Sequence, residues 1–247
     1  MRYFIEITYD GSNYHGWQIQ NNANTVQGIL NEALSKILRT EISTIGSGRT
    51  DTGVHAQMQV VHLDHEEELN EERLSAKLNS LLPQDIAVNK IMPVNSEASA
   101  RFDAISRAYT YKMHRHKNPF LYGKSYYFSQ SLDLEAMNHC CELILKWTDF
   151  EAMSKVKTEV NNFNCEIFEA LWQKHNDDIE FNVSANRFLR GMVRALVGTM
   201  IEVGQGRMTL EEFKKVLESN DRTKAGRSVP AHGLYLRDII YPKDIYL

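Results

Sequence analysis

A single aspartate framed by glycines is the part of this sequence best suited to chemistry. Residues 46–56 read Gly-Ser-Gly-Arg-Thr-Asp-Thr-Gly-Val-His-Ala, which places Asp51 among three glycines with Arg49 two positions before it. Because glycine has no Cβ and tolerates positive φ, the backbone can bend sharply here and let a bulky ligand approach the carboxylate. In an extended segment this spacing puts Arg49 and Asp51 on one face. A polar turn has the same composition, so the spacing alone leaves both interpretations open.

The tripeptide Asp51-Thr52-Gly53 also occurs in aspartic proteases. Those enzymes need two carboxylates that face each other and share a proton, whereas this chain holds one copy of the tripeptide. A protease would therefore have to be a symmetric dimer on a mostly β scaffold, and the amphipathic helices predicted below argue against that scaffold. The cation of Arg49 would also disfavour a shared proton. We therefore favour a different chemistry for Asp51.

A second group of candidate residues consists of three arginines, Arg187, Arg190 and Arg194, spaced i, i+3 and i+7. This spacing predicts that they lie on one side of an apolar helix, with Gly191 and Gly198 on the same side. Arginine binds phosphates and carboxylates bidentately, and glycine gaps would let such a group come close. The alternative is a surface helix edge that carries scattered arginines.

The composition indicates a two-domain protein of the cytoplasm. A chain of 247 residues with 43% hydrophobic content can bury a sizeable core, and we expect two domains of ordinary size. No apolar run is long enough to span a membrane, and the N-terminus, Met1 to Glu6, is too polar for a signal peptide. We therefore predict a soluble, cytoplasmic protein without a membrane partner.

Neither the cysteines nor the histidines indicate a metal site. The three cysteines include no Cys-x-x-Cys pair and fit reduced thiols. Four histidines, at positions 62, 65, 114 and 116, lack carboxylates or thiols at metal-ligand spacing. Phosphate-binding and dinucleotide-binding loop motifs are also missing from the sequence. We predict an activity that needs no metal, nucleotide or redox cofactor.

The distribution of charge permits a nucleic-acid partner. A net charge of −4 counts mildly against one, because cation contacts drive the binding of phosphates. The acidic residues, however, concentrate over residues 65–72, whereas basic residues cluster over residues 101–117 and 187–194. The protein can therefore present a locally basic surface.

Hydrophobic periodicity predicts alternating strands and helices in the first hundred residues. The predicted elements are a strand over residues 3–9, a helix from the N-cap Thr25 to Leu38, a strand over 58–63, a helix that ends before Pro83, and a strand over 86–91. This order is typical of a ferredoxin-like unit.

The second half of the sequence also predicts strands that alternate with helices, over a longer stretch. Its predicted elements are a strand over 108–113, a helix begun by Asp133, strands over 163–172 and 179–183, a largely buried helix over about 187–201, a helix with a Thr209–Glu212 capping box, and a strand over 234–241. A loop-like composition around Pro93 to Ser99 places the domain boundary near residue 105.

Five segments of the chain resemble the TruA family of tRNA pseudouridine synthases. In chain order they are Tyr-Asp-Gly-Ser-Asn-Tyr-His-Gly-Trp-Gln at 9–18, Gly-Arg-Thr-Asp-Thr-Gly-Val-His-Ala at 48–56, Arg-Phe-Asp-Ala at 101–104, Met-Val-Arg-Ala-Leu-Val-Gly at 192–198, and Gly-Leu-Tyr-Leu at 233–236. Matches in this order span nearly the whole chain, which argues against coincidence.

The resemblance implies an α+β fold of two ferredoxin-like or RRM-like domains. Residues 1–104 would carry the catalytic aspartate loop, and residues 105–247 the base-stacking tyrosine and the arginine helix. Their antiparallel sheets would lie side by side with a basic cleft between them, as in the pseudouridine synthase fold. The implied activity is the isomerisation of uridine to pseudouridine in the anticodon stem-loop of tRNA, at tRNA positions 38, 39 and 40, by a homodimer.

The resemblance also implies roles for individual residues. Asp51 would be the catalytic carboxylate, acting on C1′ as a nucleophile or at the sugar as a base, and these alternatives stay open. Arg194 would pair with Asp51 and keep it charged, and Tyr109 would stack on the extruded base. Further contacts to the substrate would come from Arg49, Arg101, Arg187, Arg190 and Gln18.

Two alternatives to this function stay open. The chain departs from the family pattern at Ile19, Thr148 and Arg190-Gly191, which permits a paralogue that modifies other uridines. A non-catalytic RNA-binding module is the second alternative, because paired ferredoxin-like sheets with exposed aromatic residues also bind RNA without chemistry. Tyr109 itself would then be an ordinary strand tyrosine that packs its ring and solvates its hydroxyl.

Overall fold

The computed structural model describes residues 1–155 and 162–247. The chain forms two compact units, of which the first comprises residues 1–106 and 236–247 and the second comprises residues 107–235. Helices and strands occur in both units, so the predicted α+β class is confirmed. The domain division at residues 104 and 105, and the placement of the sheets side by side, stay predictions.

The bounds of the elements are as follows. The described strands are β1 (Arg2–Tyr9), β2 (Ile45–Gly46), β3 (His55–Asp64), β4 (Ile86–Val94), β5 (Ser106–His114), β6 (Tyr126–Tyr127), β7 (Ile167–His175), β8 (Asp178–Ala185) and β9 (Leu234–Ile240). The described α-helices are α1 (Val26–Leu38), α2 (Glu71–Leu81), α3 (Leu134–Ile144), α4 (Met192–Gly204) and α5 (Leu210–Glu218).

The first unit is a sheet with two helices. Strand β1 pairs antiparallel with both β3 and β4, and β9 continues the sheet beyond β3. Helix α2 packs on β4 and α1 packs on α2, so the apolar stripe that predicted each helix faces the core. Leu30 and Leu34 of α1 and Leu78 of α2 are fully buried. As predicted, α1 begins after Thr25, whose side chain accepts a hydrogen bond from the Gly28 N–H.

The second unit is built around an antiparallel sheet in the order β5-β8-β7. Helix α3 packs on β7, and α4 and α5 pack against α3. Asp133 caps α3 and the predicted Thr209–Glu212 capping box begins α5. Helix α4 is buried on almost every side, which suits its apolar sequence.

The arginine helix begins later than the spacing predicts. Helix α4 starts at Met192, and Gly191 before it has φ +73°. A left-handed residue cannot continue a right-handed helix, so the chain turns at this glycine. The prediction that Arg187 and Arg190 share a helix face with Arg194 is therefore wrong, since these two residues lie in the loop between β8 and α4.

Strand β7 also begins later than predicted and continues to His175. It begins at Ile167, and the residues predicted to start it near Phe163 pair instead with residues 148–150. The Phe150 N–H donates to the Phe163 carbonyl at 3.1 Å, and the Cys165 N–H donates to the Thr148 carbonyl at 2.9 Å. These local hydrogen bonds replace those of the sheet ladder and delay the start of the strand.

We expect His62 to make the protein less stable in mild acid. Burial, and then the charge of Arg2, lower the pKa of this histidine below its usual 6.5, although Asp64 and Asp103 oppose the shift. Its Nδ1 accepts a hydrogen bond from the Ala100 N–H at 3.1 Å. Because the unfolded chain binds the proton more readily, the stabilisation is complete above about 6.5 and is lost as the pH falls below it.

Urea unfolding at several pH values tests this expectation. The free energy of unfolding of the wild type should fall between pH 7 and pH 5, and His62→Gln should make this decline shallower. An equally steep decline in the variant would contradict the role of His62.

Candidate active site

Asp51 lies in a tight turn that leads into β3. The Val54 N–H donates to the Asp51 carbonyl at 3.1 Å, and Gly53 in between has φ +78°. This geometry needs a residue that tolerates positive φ at the third position of the turn, which explains the glycine that follows Asp51-Thr52. The Asp51 side chain is partly exposed and that of Arg49 is exposed. Both can therefore meet a ligand.

The loop after β1 holds this turn in place. The Gly53 N–H donates to the Tyr14 carbonyl at 3.3 Å, and the Trp17 N–H donates to the Thr50 carbonyl at 3.2 Å. The buried hydroxyls of Tyr9 and Thr50 lie 2.7 Å apart. The backbone on both sides of Asp51 is thus hydrogen-bonded to the preceding loop, so the carboxylate starts from a fixed position.

Two glycines of the preceding loop allow this close contact. Gly16 has φ +90°, and a Cβ there would lie 2.4 Å from the Thr50 carbonyl oxygen. A Cβ at Gly11 would lie 1.9 Å from the Val54 carbonyl oxygen. The glycines of the 9–18 segment therefore let the two loops touch.

We expect Gly16→Ala to disturb catalysis as well as folding. The new methyl group would meet the Thr50 carbonyl, and alanine disfavours this φ, so the turn that carries Asp51 must shift. We expect a loss of about 1–3 kcal/mol in the free energy of unfolding and a fall in turnover of about 10²-fold. Urea unfolding and an assay of the activity that the resemblance implies measure the two effects.

Gly48→Ala is the matched control for this substitution. It lies in the same glycine-rich segment, and a Cβ there would have no atom within 4 Å. Turnover near that of the wild type is expected. If Gly16→Ala also retained wild-type turnover, the contact between the loops would not position Asp51.

Trp17 anchors the loop, whereas Gln18 stays available to a ligand. Trp17 is 2% exposed and stacks on Tyr9 with ring centroids 6.4 Å apart. A Cβ at Gly46 would lie 2.5 Å from the indole Nε1, so this glycine makes room for the ring. Gln18 is half-buried, and its contact with RNA stays a prediction.

Two pairs of polar side chains hold the same loop from the other side. The Tyr14 hydroxyl donates to Asp85 at 2.5 Å, and burial together with this carboxylate raises the pKa of Tyr14. The buried Nδ1 of His55 lies 2.9 Å from an Asp10 oxygen and 3.1 Å from the Gly11 nitrogen. His55 therefore stabilises the fold of the loop.

Tyr109 belongs to the second unit and lies against the segment before α4. Its ring is partly buried and contacts the Phe188 ring edge-on, with centroids 5.1 Å apart. Phe188 sits next to Arg187, so the structure brings Tyr109 and this cationic segment together. Sequence reasoning did not select Phe188, because an aromatic residue beside an arginine is a weak signal. Tyr111, two residues after Tyr109, is fully buried, and its hydroxyl donates to the Pro230 carbonyl at 2.9 Å.

Arg194 is held by the segment of residues 225–229, here called the strap. Its Nε donates to the Val229 carbonyl at 2.8 Å, and the Val229 N–H donates to the Arg194 carbonyl at 3.2 Å. These two bonds fix the direction of the guanidinium in the first turn of α4. Sequence analysis missed the strap, which lies about thirty residues further along the chain.

The strap packs directly on the backbone of α4. A Cβ at Gly198 would lie 1.9 Å from the Arg227 carbonyl oxygen, so the expectation that this glycine leaves a gap for a phosphate or carboxylate is wrong. The chain itself fills the space. Arg222 secures the strap by donating to the Gly226 carbonyl at 3.1 Å and to the Ser228 hydroxyl at 2.8 Å. Burial lowers the pKa of Arg222.

The remaining predicted contacts fall in two places. Arg101 is exposed in the first unit, and its guanidinium lies 5.2 Å from the centroid of the Phe102 ring, which is 78% exposed. Arg187 and Arg190 flank Phe188 in the second unit. Burial raises the pKa of the Cys165 thiol to about 11, and the charge of Arg187 opposes this rise.

Neither a metal centre nor a membrane helix is present among the residues that the structure describes. No three of their histidine, cysteine, aspartate and glutamate side chains come together in a group that could hold a metal ion. None of their helices combines the length and the apolar character that crossing a membrane requires.

Comparison with known proteins places the chain among RNA-modifying enzymes. A family model described as tRNA pseudouridine synthase matches residues 6–103 and 148–242. A protein of Parabacteroides distasonis named tRNA pseudouridine synthase A is 48% identical over 99% of this chain and 98% of its own length. Proteins of the same name from Caldicellulosiruptor saccharolyticus and Exiguobacterium sibiricum are 38% and 36% identical, over 96% and 98% of this chain and 98% of their own lengths.

Proposed function

Because the chain belongs to the tRNA pseudouridine synthase family, whose members isomerise uridine in tRNA, we propose that it acts on the anticodon stem-loop with Asp51 as its catalytic carboxylate. The proposed uridines lie on the 3′ side of that stem-loop, at tRNA positions 38, 39 and 40. The observation that carries the assignment of Asp51 is its turn, which is partly exposed and hydrogen-bonded on both sides to the preceding loop.

The reaction breaks one bond to C1′ and forms another. The bond from C1′ to N1 of uracil is broken, the base rotates, and a bond from C1′ to C5 replaces it. N1 takes up a proton from water and the C5 proton passes to water, so atoms and charge balance. The nucleotide must leave the base stack for this, since its glycosidic bond is otherwise out of reach. Asp51 either attacks C1′ or removes a proton from the sugar, and both roles need an ionised carboxylate next to the extruded nucleotide.

Two residues of the second unit complete the proposed machinery. Arg194 pairs with Asp51 in the active enzyme and keeps it charged, and its Nε bond to Val229 supports this role because it fixes the guanidinium. Tyr109 stacks on the extruded base, and its ring is already set edge-on against Phe188. In this proposal residues 1–104 supply the carboxylate, and residues 105–247 supply the cation and the aromatic platform.

The other cations bind the RNA backbone and the flipped nucleotide. Arg49 is exposed two residues before Asp51 and holds that nucleotide, while Arg101, Arg187 and Arg190 contact phosphates. Gln18 lies in the loop that supports Asp51 and contacts the RNA beside it. The partner is thus tRNA, and we assign the protein to the cytoplasm as a homodimer.

Release of tritium from uridine C5 tests the proposed activity. Wild-type protein incubated with tRNA labelled at this carbon should release the label into water in step with pseudouridine formation. Binding of tRNA in a gel-shift assay without any release would favour the non-catalytic RNA-binding module. Mapping of the pseudouridines lost when the gene is deleted would support a paralogue with other targets if they lie outside the anticodon stem-loop.

A further inference from the structure

An exposed loop of the second unit combines aromatic rings with cations. Residues 115–124, here called the aromatic finger, read Arg-His-Lys-Asn-Pro-Phe-Leu-Tyr-Gly-Lys and follow β5 directly. Phe120 is 91% exposed and Tyr122 is 89% exposed, so neither ring contributes much to the core. Such exposure of two large rings at one loop is unfavourable in water and indicates a surface that binds something.

Hydrogen bonds along the aromatic finger and at its end order its backbone. The Asn118 side chain accepts from the Phe120 N–H at 3.0 Å, and the Tyr122 N–H donates to the Pro119 carbonyl at 3.3 Å. At its end, the Lys124 carbonyl accepts a hydrogen bond of 2.6 Å from the Tyr235 hydroxyl. The two rings are therefore presented on an ordered backbone, which reduces the entropy lost on binding.

The charge around the aromatic finger favours a polyanion. No aspartate or glutamate occurs between Asp103 and Asp133, whereas five arginines and lysines do, in a protein of net charge −4. Three of these cations, at positions 115, 117 and 124, belong to the finger. Asp177 lies 3.9 Å from the ring of His116, but both side chains are exposed, so this pair contributes little.

Two nitrogens at the base of the aromatic finger are left without partners. Among the residues that the structure describes, the buried Nδ1 of His114 and Nε of Arg115 have no hydrogen-bond partner. A buried polar atom without a protein partner costs free energy unless an ordered water satisfies it, so the base of the finger is a polar site. His114 is 4% exposed, and its ring lies against the half-exposed ring of Tyr127.

We propose that the aromatic finger is a second RNA-binding surface, where Phe120 and Tyr122 stack on unpaired bases of the tRNA and the flanking cations bind its phosphates. This combination of cations with stacking rings is how proteins bind single-stranded nucleic acid. The proposal rests on the proposed function, since tRNA is the substrate. It names a contact outside the segments that match the family model, which leave out residues 104–147.

The position of the finger separates it from the reacting nucleotide. Strand β5 carries Tyr109 and ends at His114, so the strand ends about 17 Å from Tyr109 at 3.3 Å per residue, and the finger begins one residue further on. The finger therefore contacts a different nucleotide from the one that Tyr109 stacks on. It contributes to affinity and not to the chemical step.

A second copy of this chain fits the same surface less well. Isologous dimers place the same patch of both subunits together. Such a contact would bring the cations at positions 115, 117 and 124 close to their own counterparts, and lysine is depleted from interface cores. The stretch between Asp103 and Asp133 also holds no aspartate or glutamate that could pair with these cations across such a contact.

The double variant F120A/Y122A tests the proposal. It should raise the dissociation constant for full-length tRNA about tenfold or more, because stacking on aromatic rings dominates such contacts. KM should rise in parallel while kcat stays unchanged. Phe168→Ala removes another exposed ring from the same unit and should leave both constants as in the wild type.

Three results would overturn the proposal. They are an unchanged dissociation constant in F120A/Y122A, an equal effect of Phe168→Ala, and a halved mass of the double variant in analytical ultracentrifugation, which would assign the finger to contact between copies. Lys117→Gln gives an independent measurement. It should reduce the number of counterions released on tRNA binding, read from the slope of affinity against salt concentration, by about one. These binding measurements can be interpreted even if the wild type forms no pseudouridine. A failure of the proposed function is therefore distinguishable from a failure of the RNA-binding proposal.

Discussion

Replacing Asp51 with asparagine is expected to abolish pseudouridine formation, with a fall in turnover of at least about 10³-fold. The amide has nearly the same shape as the carboxylate, so the turn that carries it should be preserved. It can neither attack C1′ nor accept a proton from the sugar. Either chemical role for Asp51 therefore gives the same result, and tritium release from uridine C5 measures it.

Binding of tRNA should survive this substitution. Loss of one negative charge next to phosphates does not weaken their binding, so we expect a dissociation constant within about threefold of the wild type. Thr52→Ala is the matched control, because Thr52 is exposed in the same turn and should keep turnover near the wild type. Residual turnover above one per cent of the wild type in Asp51→Asn would mean that another group carries the reaction.

Local signals predicted most helix starts correctly. Thr25 and Asp133 cap α1 and α3, and Thr209 with Glu212 caps α5. A cap is decided within four residues by the side-chain oxygen and the nearby N–H groups. The sequence alone is therefore enough to place it.

Where the sequence did not predict the structure, the cause is a contact with residues far away in the chain or a backbone conformation that spacing does not reveal. Spacing suggested that Gly198 opens a gap on α4, but the Arg227 carbonyl fills that space. The start of α4 was missed because periodicity gives no sign that Gly191 adopts a positive φ. Likewise, the sequence order offers no sign that residues 236–247 pack with the first unit.

The same difference between local and distant signals applies to the candidate site. The segment around Asp51 could be selected from its residues, because its glycines are required by the turn itself. The residues that position the site could not be selected, since Tyr9, Tyr14 and Val229 act through contacts with residues far away in the chain. Side chains that do chemistry leave a signal in composition, whereas those that hold them resemble ordinary core residues.

Replacing Arg194 with alanine is expected to lower kcat far more than affinity for tRNA. The guanidinium is directed by the Val229 carbonyl, and we propose that it keeps Asp51 ionised at the moment of reaction. Loss of such a fixed charge costs about 10²–10³-fold in turnover, while one cation among several contributes little to RNA binding. Single-turnover rates and gel-shift titrations separate the two effects.

The pH dependence of the variant tests the proposed pairing itself. A neighbouring cation favours the ionised form of a carboxylate, so turnover of Arg194→Ala should fall more steeply than that of the wild type between neutral and mildly acidic pH. Arg194→Lys should restore part of the turnover, since it retains the charge but loses the Nε bond to Val229. Arg207→Ala removes an exposed arginine from the same unit and should change neither rate nor profile. If Arg194→Ala and the wild type kept parallel profiles over this range, Arg194 would act on the RNA and not on Asp51.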